Sequence, residues 1–338
     1  MEAGSASVGA PRSSPLRRAG SWANENPAKV FLLVMALVAA YLLVDSGLQA
    51  LSQRTINGLV AGSYFALGAI GLTLVYGILQ LTNFAHGDML TLGAYVAYVF
   101  NVSNGMPFVP AMLISIVLVA LFAVILELGM FRPMRKRKAG ILQLLLMTIG
   151  LAFVIRNTIQ LFAGSAQRKL DVNVTDTIDF IGLSIGRTQL IVVIVGLVIL
   201  LAVAAMLRFS SLGRQMRALA DNFDLAETTG INTGRIVIFT WVLSGALAAL
   251  AGVLVAASIG GFTPNTGFTL LLSLFAAVVL GGIGNAFGAL IGGLVIGITQ
   301  EWSTLVVDSE WKVAISFLVL IIVLIVRPQG IFGSERTL

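Results

Sequence analysis

The chain contains no cysteine, so neither a disulfide framework nor a thiolate metal site can form. It holds a single histidine, His86, which excludes a multi-histidine metal cluster. Charge is scarce as well. Asp, Glu, Lys and Arg make up 11% of the 338 residues, against roughly 25% in a soluble domain. No Gly-x-x-x-x-Gly-Lys-Ser/Thr phosphate loop occurs. Clustered carboxylates, metal ligands and nucleophile–base pairs at usable spacing are also missing. No catalytic residue is therefore assigned, a membrane enzyme is disfavoured, and no cofactor or metal is expected on this chain.

What is present is apolar. Hydrophobic residues reach 58% of the chain and the mean hydropathy is +0.98. Val30–Val44, Ala111–Ile125 and Leu190–Leu207 carry no charge at all. A helix needs about 20 mostly apolar residues to cross the hydrocarbon layer. A soluble core helix would show a polar stripe at helical period, and these segments do not. The fold class is all-α: a polytopic transmembrane helix bundle of about nine or ten hydrophobic segments. They run Lys29–Val44, Thr55–Leu79, Asp88–Val102, Phe108–Phe131, Ile141–Phe162, Thr188–Leu207, Ile236–Ser258, Phe268–Leu280, Phe287–Glu301 and Trp311–Val326. The Phe268–Glu301 stretch reads either as two spans or as a broken, re-entrant pair.

Net charge is +6, but the basic residues sit in short loops, so positive-inside bias explains them better than nucleic-acid binding. One side holds Arg12, Arg17, Arg18, Lys29, Arg132, Arg135, Lys136, Arg137, Lys138, Arg208, Arg214, Arg217, Arg235, Arg327 and Arg336. The other holds Arg54, Arg168, Lys169, Arg187 and Lys312. This bias puts both termini in the cytoplasm. Residues 1–28 read as a disordered basic cytoplasmic tail. Residues 29–50 read as an additional N-terminal anchor rather than a cleaved signal peptide, and residues 51–332 as the main transmembrane domain.

Glycine is abundant, at 36 residues, and lies within apolar spans, where small residues let helix backbones approach closely. Ser244, Ala248, Gly252 and Ala256 form one stripe at spacing four. Gly284, Gly288 and Gly292 form another, and Gly58 with Gly62 a third. Helix packing is the plain reading of each; sliding faces are the functional one. The Gly281–Asn285 segment, with Gly282 and Asn285, interrupts a long apolar run. It is either a surface turn or a broken helix lining a pathway.

The interior polar residues are few. Thr82–Asp88 includes Asn83, His86 and Asp88. A proton relay is conceivable there. The plainer reading is a helix start capped by Asn83 or Thr82, with Asp88 at the positive helix end and His86 bonded locally. Arg156-Asn157 lies within a span, where a charge costs about 2.5–3.5 kcal/mol. Arg156 should face the interior, with Glu127 or a backbone carbonyl as partner, either as a structural tie or on a substrate path. Ser211–Gly234 is polar. Arg214–Glu227 has good helix formers and Gly230 as a stop. Met216, Leu219, Ala220 and Phe223 fall on one face, suited to a membrane surface or a groove on a partner protein.

Taken as a set, several stretches resemble the membrane permease subunit of branched-chain amino-acid ABC importers, of the LivH type. They are Ile56-Asn57-Gly58-Leu59 through Leu74-Val75-Tyr76-Gly77, Asn83-Phe84-Ala85-His86-Gly87-Asp88, Gly93-Ala94-Tyr95 and Thr148-Ile149-Gly150-Leu151. Further along come Gly213-Arg214 through Gly230-Ile231-Asn232, Leu243-Ser244-Gly245-Ala246-Leu247-Ala248 and Gly281-Gly282-Ile283-Gly284-Asn285. The resemblance runs from about Leu51 to Phe332.

It implies partners: a second permease of the LivM type or a second copy of this chain, two cytoplasmic ABC ATPase subunits carrying ATP-Mg, and an extracytoplasmic solute-binding protein. It implies a bacterial inner-membrane location and an ATPase-coupling helix around a loose Glu-Ala-Ala-x-x-x-Gly pattern. Asp224, Leu225, Ala226, Glu227 and Gly230 match this in part, with Asp for Glu and Leu for the first Ala, and Arg214 and Arg217 lie on the same segment. Branched-chain or other neutral amino acids are the implied substrates, with urea and short amides as alternatives. A proton- or ion-coupled secondary transporter using His86, Asp88 and Arg156 is the reading from another class.

Overall fold

The computed structural model describes residues 27–173, 176–180, 182–327, 329–331 and 333. The expected tail, with Arg12, Arg17 and Arg18, falls on residues 1–26, outside the described residues, as does Arg336. The chain divides into two units, Met1–Asp45 and Ser46–Leu338. In the first, the described residues are helical, and Leu32, Leu37, Tyr41 and Val44 are exposed along it.

The element order is α1 (Pro27–Leu79), α2 (His86–Tyr98), α3 (Phe108–Leu126), α4 (Arg132–Lys136), α5 (Ile141–Ala163), β1 (Thr177–Phe180), β2 (Leu183–Gly186) and α6 (Arg187–Phe209). Then follow α7 (Ser211–Asp221), α8 (Phe223–Thr228), α9 (Thr233–Ser258), α10 (Thr266–Gly281), α11 (Ala286–Ser303) and α12 (Lys312–Val326). Single π-helical turns extend α2 over Val99–Ser103 and α3 over Glu127–Phe131. All ten expected segments are helical. Among the described residues, six helices are long and apolar enough to cross a membrane, and α10 is a shorter apolar one.

The spans expected at Lys29–Val44 and Thr55–Leu79 are both helical, and Gly47, whose φ of 84° and ψ of 163° leave the helical region, separates them within Pro27–Leu79. One departure from expectation has a local cause. The polar stretch before α6, read without strands, contains an antiparallel hairpin with Thr177 opposite Gly186 and Phe180 opposite Leu183. Gln53 on α1 holds it: its amide donates to the Ser184 carbonyl at 2.7 Å and accepts from the Ser184 N–H at 2.8 Å.

Small residues set the helix spacing. A Cβ on Gly252 of α9 would lie 1.9 Å from the Leu90 carbonyl of α2. On Gly58 and Gly62 it would lie 2.6 and 2.8 Å from the backbones of Ile298 and Leu294, so α1 lies directly on α11. On Gly288 and Gly292 it would meet the Gly281 and Ala277 carbonyls, closing α10 on α11. Ser244, Ala248 and Ala256 are buried on α9 as well. The Ser244–Ala256 and Gly58–Gly62 stripes, and Gly288 with Gly292, are thus contact faces, where packing in place of hydrophobic drive holds the helices; Gly284, expected on the same stripe, lies in the turn before α11.

Buried polar side chains tie the same bundle. The Gln300 amide donates to Ser273 Oγ at 2.8 Å and to Ser316 Oγ at 2.5 Å. Glu301 pairs with Lys312 and lies 3.7 Å from Arg54, so two of the five cations expected in loops meet one carboxylate.

Candidate functional site

The site is built on a break between α1 and α2. Helix α1 ends at Leu79, yet His86 at the start of α2 contacts Gly68 and Gly71, its Nε2 lying 2.9 Å from the Gly68 carbonyl. Those positions are eight to eleven residues before the end of α1, or about 12–16 Å along its axis. The segment 80–85 therefore turns back into the bundle before α2 begins. Unwound backbone at this depth is tolerated only where protein or a cavity covers it.

Its covering comes from α5. Thr148 Oγ1 accepts from the Phe84 N–H at 3.3 Å and lies 3.2 Å from the Thr82 carbonyl. Two turns further on, Arg156 Nε and Nη2 donate to the two carboxylate oxygens of Asp88 at 2.9 and 3.0 Å. Asp88 is fully buried, and the Arg156 side chain keeps 12% exposure. The guanidinium lies 4.3 Å from the Phe268 ring centroid and 5.6 Å from that of Phe153. This planar, bidentate geometry is the strongest that Arg and carboxylate make. It satisfies both charges where either alone would be costly.

The expected partner of Arg156 was Glu127 or a carbonyl. Glu127 instead bonds Arg135, eight residues on along its own helix. His86 was expected to bond locally and reaches 18 residues back instead. Among the described residues no side chain caps α2, whose N-cap is Ala85; Asn83 Oδ1 accepts from the Ala85 N–H at 3.1 Å. Among the described residues, Asn83 Nδ2 and His86 Nδ1 are buried without a partner. Asn157 is exposed beside Arg156, its amide donating to the Phe153 carbonyl.

Helix α10 meets α2 here. A Cβ on Gly267 would lie 1.8 Å from the Gly87 carbonyl, and the Gly267 N–H donates to Thr91 Oγ1 at 2.9 Å. The first turns of α2 and α10 thus lie against each other beside Asp88. Their N-terminal N–H groups give this point a positive field suited to a carboxylate.

A second feature is a cleft of about 710 Å³ lined by Gly77, Gln80, Arg217, Asp221, Gly284 and Asn285, among others. It joins the end of α1, the turn between α10 and α11, and α7. At the turn, Gly282 and Gly284 take φ of 100° and 85°, which a side chain would strain. The Gly284 N–H donates to Thr73 Oγ1 at 3.0 Å, and Asn285 Oδ1 caps α11 through the Gly288 N–H.

The amphipathic segment is two helices, where one was expected over Arg214–Glu227. Asn222 leaves the helical region at φ −157° and its side chain caps α8 by accepting from the Leu225 N–H. Asn competes with the helix for its own backbone, which is why it starts a new one. The break splits the expected apolar face: Met216 and Leu219 are buried, while Phe223 is 37% exposed. Arg217 bonds the Leu207 carbonyl at the end of α6. On α8, Ala226 is buried while Asp224, Leu225 and Glu227 are exposed, as is Arg214 on α7, and the turn ends at Gly230 with φ 87°.

Thr148, Phe153, Phe268 and Gln53 were not singled out from the sequence. Thr148 alone carried a signal, as the one polar side chain in its helical turn within the matched motif.

A multi-pass helix bundle with a charge pair inside and an unwound segment held in its interior is an architecture that suits a membrane transport permease. Residues 54–324 match the family described as branched-chain amino acid transport system / permease component, and the chain belongs to that family. It is 36% identical over 297 residues to the high-affinity branched-chain amino acid transport system permease protein LivH of Escherichia coli K12, covering 84% of this chain and 96% of that one. It is 33% identical over 297 residues to the permease protein BraD of Pseudomonas aeruginosa, with the same coverage. The ribose import permease protein RbsC of Escherichia coli is 26% identical over 325 residues, 90% of this chain and 94% of that one. No solved structure matches the chain.

Proposed function

We propose that the chain is one permease half of an ATP-driven importer that moves branched-chain amino acids across a bacterial inner membrane. The observation that carries this reading is the likeness to LivH over 84% of this chain and 96% of that one, with residues 54–324 matching the permease family. The second half is a related permease or a second copy. Two cytoplasmic ATPases bind ATP-Mg, and an extracytoplasmic binding protein delivers the substrate. Both termini lie in the cytoplasm, as the basic-residue bias favours.

In this reading, α7 and α8 dock on the ATPase. Short helices with an exposed Leu225, two exposed acids and a buried Ala226 suit a groove on a protein better than a lipid surface, which would call for a continuous apolar face. The cleft beside them links that docking point to the α10–α11 turn. Asn83, His86, Asp88, Arg156, Asn157, Gly282 and Asn285 are the residues assigned to the pathway and its gating.

The test is labelled-leucine uptake in a strain lacking this gene with its neighbours intact. Uptake should fall to background and return with the gene in trans. ATP-driven uptake that survives the deletion would sink the reading.

A further inference from the structure

Resting on the amino-acid importer reading, we propose that the Asp88–Arg156 pair is the subsite that receives the charged backbone of the substrate. Arg156 takes the α-carboxylate and Asp88 the α-ammonium, as the two side chains separate to admit them.

Three observations lead here. First, the pair is buried on one side only: Asp88 is fully enclosed, while Arg156 reaches the surface between Phe153 and Phe268, which are 57% and 44% exposed. Second, polar side chains gather beside it among exposed apolar ones such as Val154 and Leu161. Asn157, Thr158 and Gln160 on α5 and Asn265 and Thr269 at the start of α10 are all exposed. Polar side chains gathered at one point of apolar helices, next to an ionisable pair, suit a protein contact or a water-filled path better than hydrocarbon. Third, the charges match. A zwitterion inserted between a carboxylate and a guanidinium exchanges one ion pair for two, with no change in net charge. The fork of Arg156 already fits a carboxylate, and the first turns of α2 and α10 add positive field at the same point. The aromatic rings beside the guanidinium, at 4.3 and 5.6 Å, keep it in place when Asp88 lets go. A substrate lacking either charge leaves one member of the pair unpaired in an apolar setting, which a site built for both rejects.

Because the chain has no cysteine, Thr269→Cys, and separately Asn157→Cys, introduces a single thiol beside the pair. The complete transporter is reconstituted in vesicles and labelled on this chain with a charged, water-soluble methanethiosulfonate. Both thiols should react. L-Leucine at ten times its dissociation constant should slow labelling about tenfold, whereas L-leucinamide and 4-methylpentanoate at the same concentration should not. With Asp88→Asn and Arg156→Gln together, labelling should persist and protection by leucine should vanish. Unreactive thiols at both positions, equal protection by all three compounds, or protection retained in the neutral pair would each overturn the proposal. Leucine uptake by the native assembly is measured alongside. If uptake is absent, the importer reading itself fails; if uptake is normal and leucine gives no protection, only the subsite fails.

Discussion

Arg156 grips both carboxylate oxygens of Asp88 from 68 residues along the chain, at 2.9 and 3.0 Å. The pair joins α5 to the first turn of α2, beside the unwound segment that Thr148 holds from the same helix. Arg156→Met removes the guanidinium and strands a fully buried carboxylate. The expected loss is about 3–5 kcal/mol of stability. Adding Asp88→Asn should recover most of it, because the second change removes the stranded charge. Unfolding in detergent of the two single variants and the double variant measures the coupling, and additive losses would deny it.

Much of this arrangement was written in residue types and not in their pairing. The apolar runs, the glycine stripes and the interior position of Arg156 are one-dimensional signals, and each led to the right element. What periodicity cannot give is which polar residue another helix will present. Glu127 and Asp88 are equally acidic in the sequence. The depth at which α2 begins decides between them, and that depth depends on segment 80–85 turning back into the bundle. The hairpin was missed for a similar reason: β1 and β2 are four residues each, and Gln53 of another element anchors them. The α7–α8 break was legible in principle, since Asn222 is a cap residue in the middle of an otherwise helical pattern.

Glycine at the helix crossings makes a sharper prediction about packing. Gly252→Ala would put a methyl group 1.9 Å from the Leu90 carbonyl, forcing α9 and α2 apart at a cost of about 1–3 kcal/mol. Gly150 lies in the interior of α5, where an added Cβ would meet nothing within 4 Å among the described residues. There, Gly150→Ala should be neutral or stabilise by about 0.5–1 kcal/mol, because Ala is the better helix former. Thermal melts of the two variants in one detergent give the comparison. Equal effects would mean that glycine acts here through the backbone alone.

The Gln53 clamp predicts a local effect without a global one. Its amide makes both hydrogen bonds that a neighbouring strand would make to Ser184, so Gln53→Leu removes the edge partner of β2. Hydrogen exchange at 183–186 should speed up by roughly ten- to thirtyfold, in line with about 1 kcal/mol for each of the two exposed bonds lost. Exchange in α9, whose packing does not involve this residue, should stay the same. Faster exchange throughout would show that the hairpin is tied to global stability.

The last prediction concerns how ATP hydrolysis reaches the pathway. Arg217 lines the 710 Å³ cleft and bonds the Leu207 carbonyl at the end of α6, so α7 is fixed to a membrane helix and does not hang free. A cation at a helix C-terminus is favourable by about 0.3–1 kcal/mol and an anion there unfavourable by a similar amount. Arg217→Glu should therefore loosen α7 from α6 while leaving the buried Met216 and Leu219 in place. Ala220→Pro acts on the same linkage from within α7, since proline in a helix interior costs about 3 kcal/mol. In reconstituted transporter, both variants should keep ATPase activity and lose its stimulation by loaded binding protein, with leucine uptake falling further than hydrolysis. Full coupling in both variants would move the contact with the ATPase away from this segment, leaving the basic loop that follows α4 as the next surface to examine.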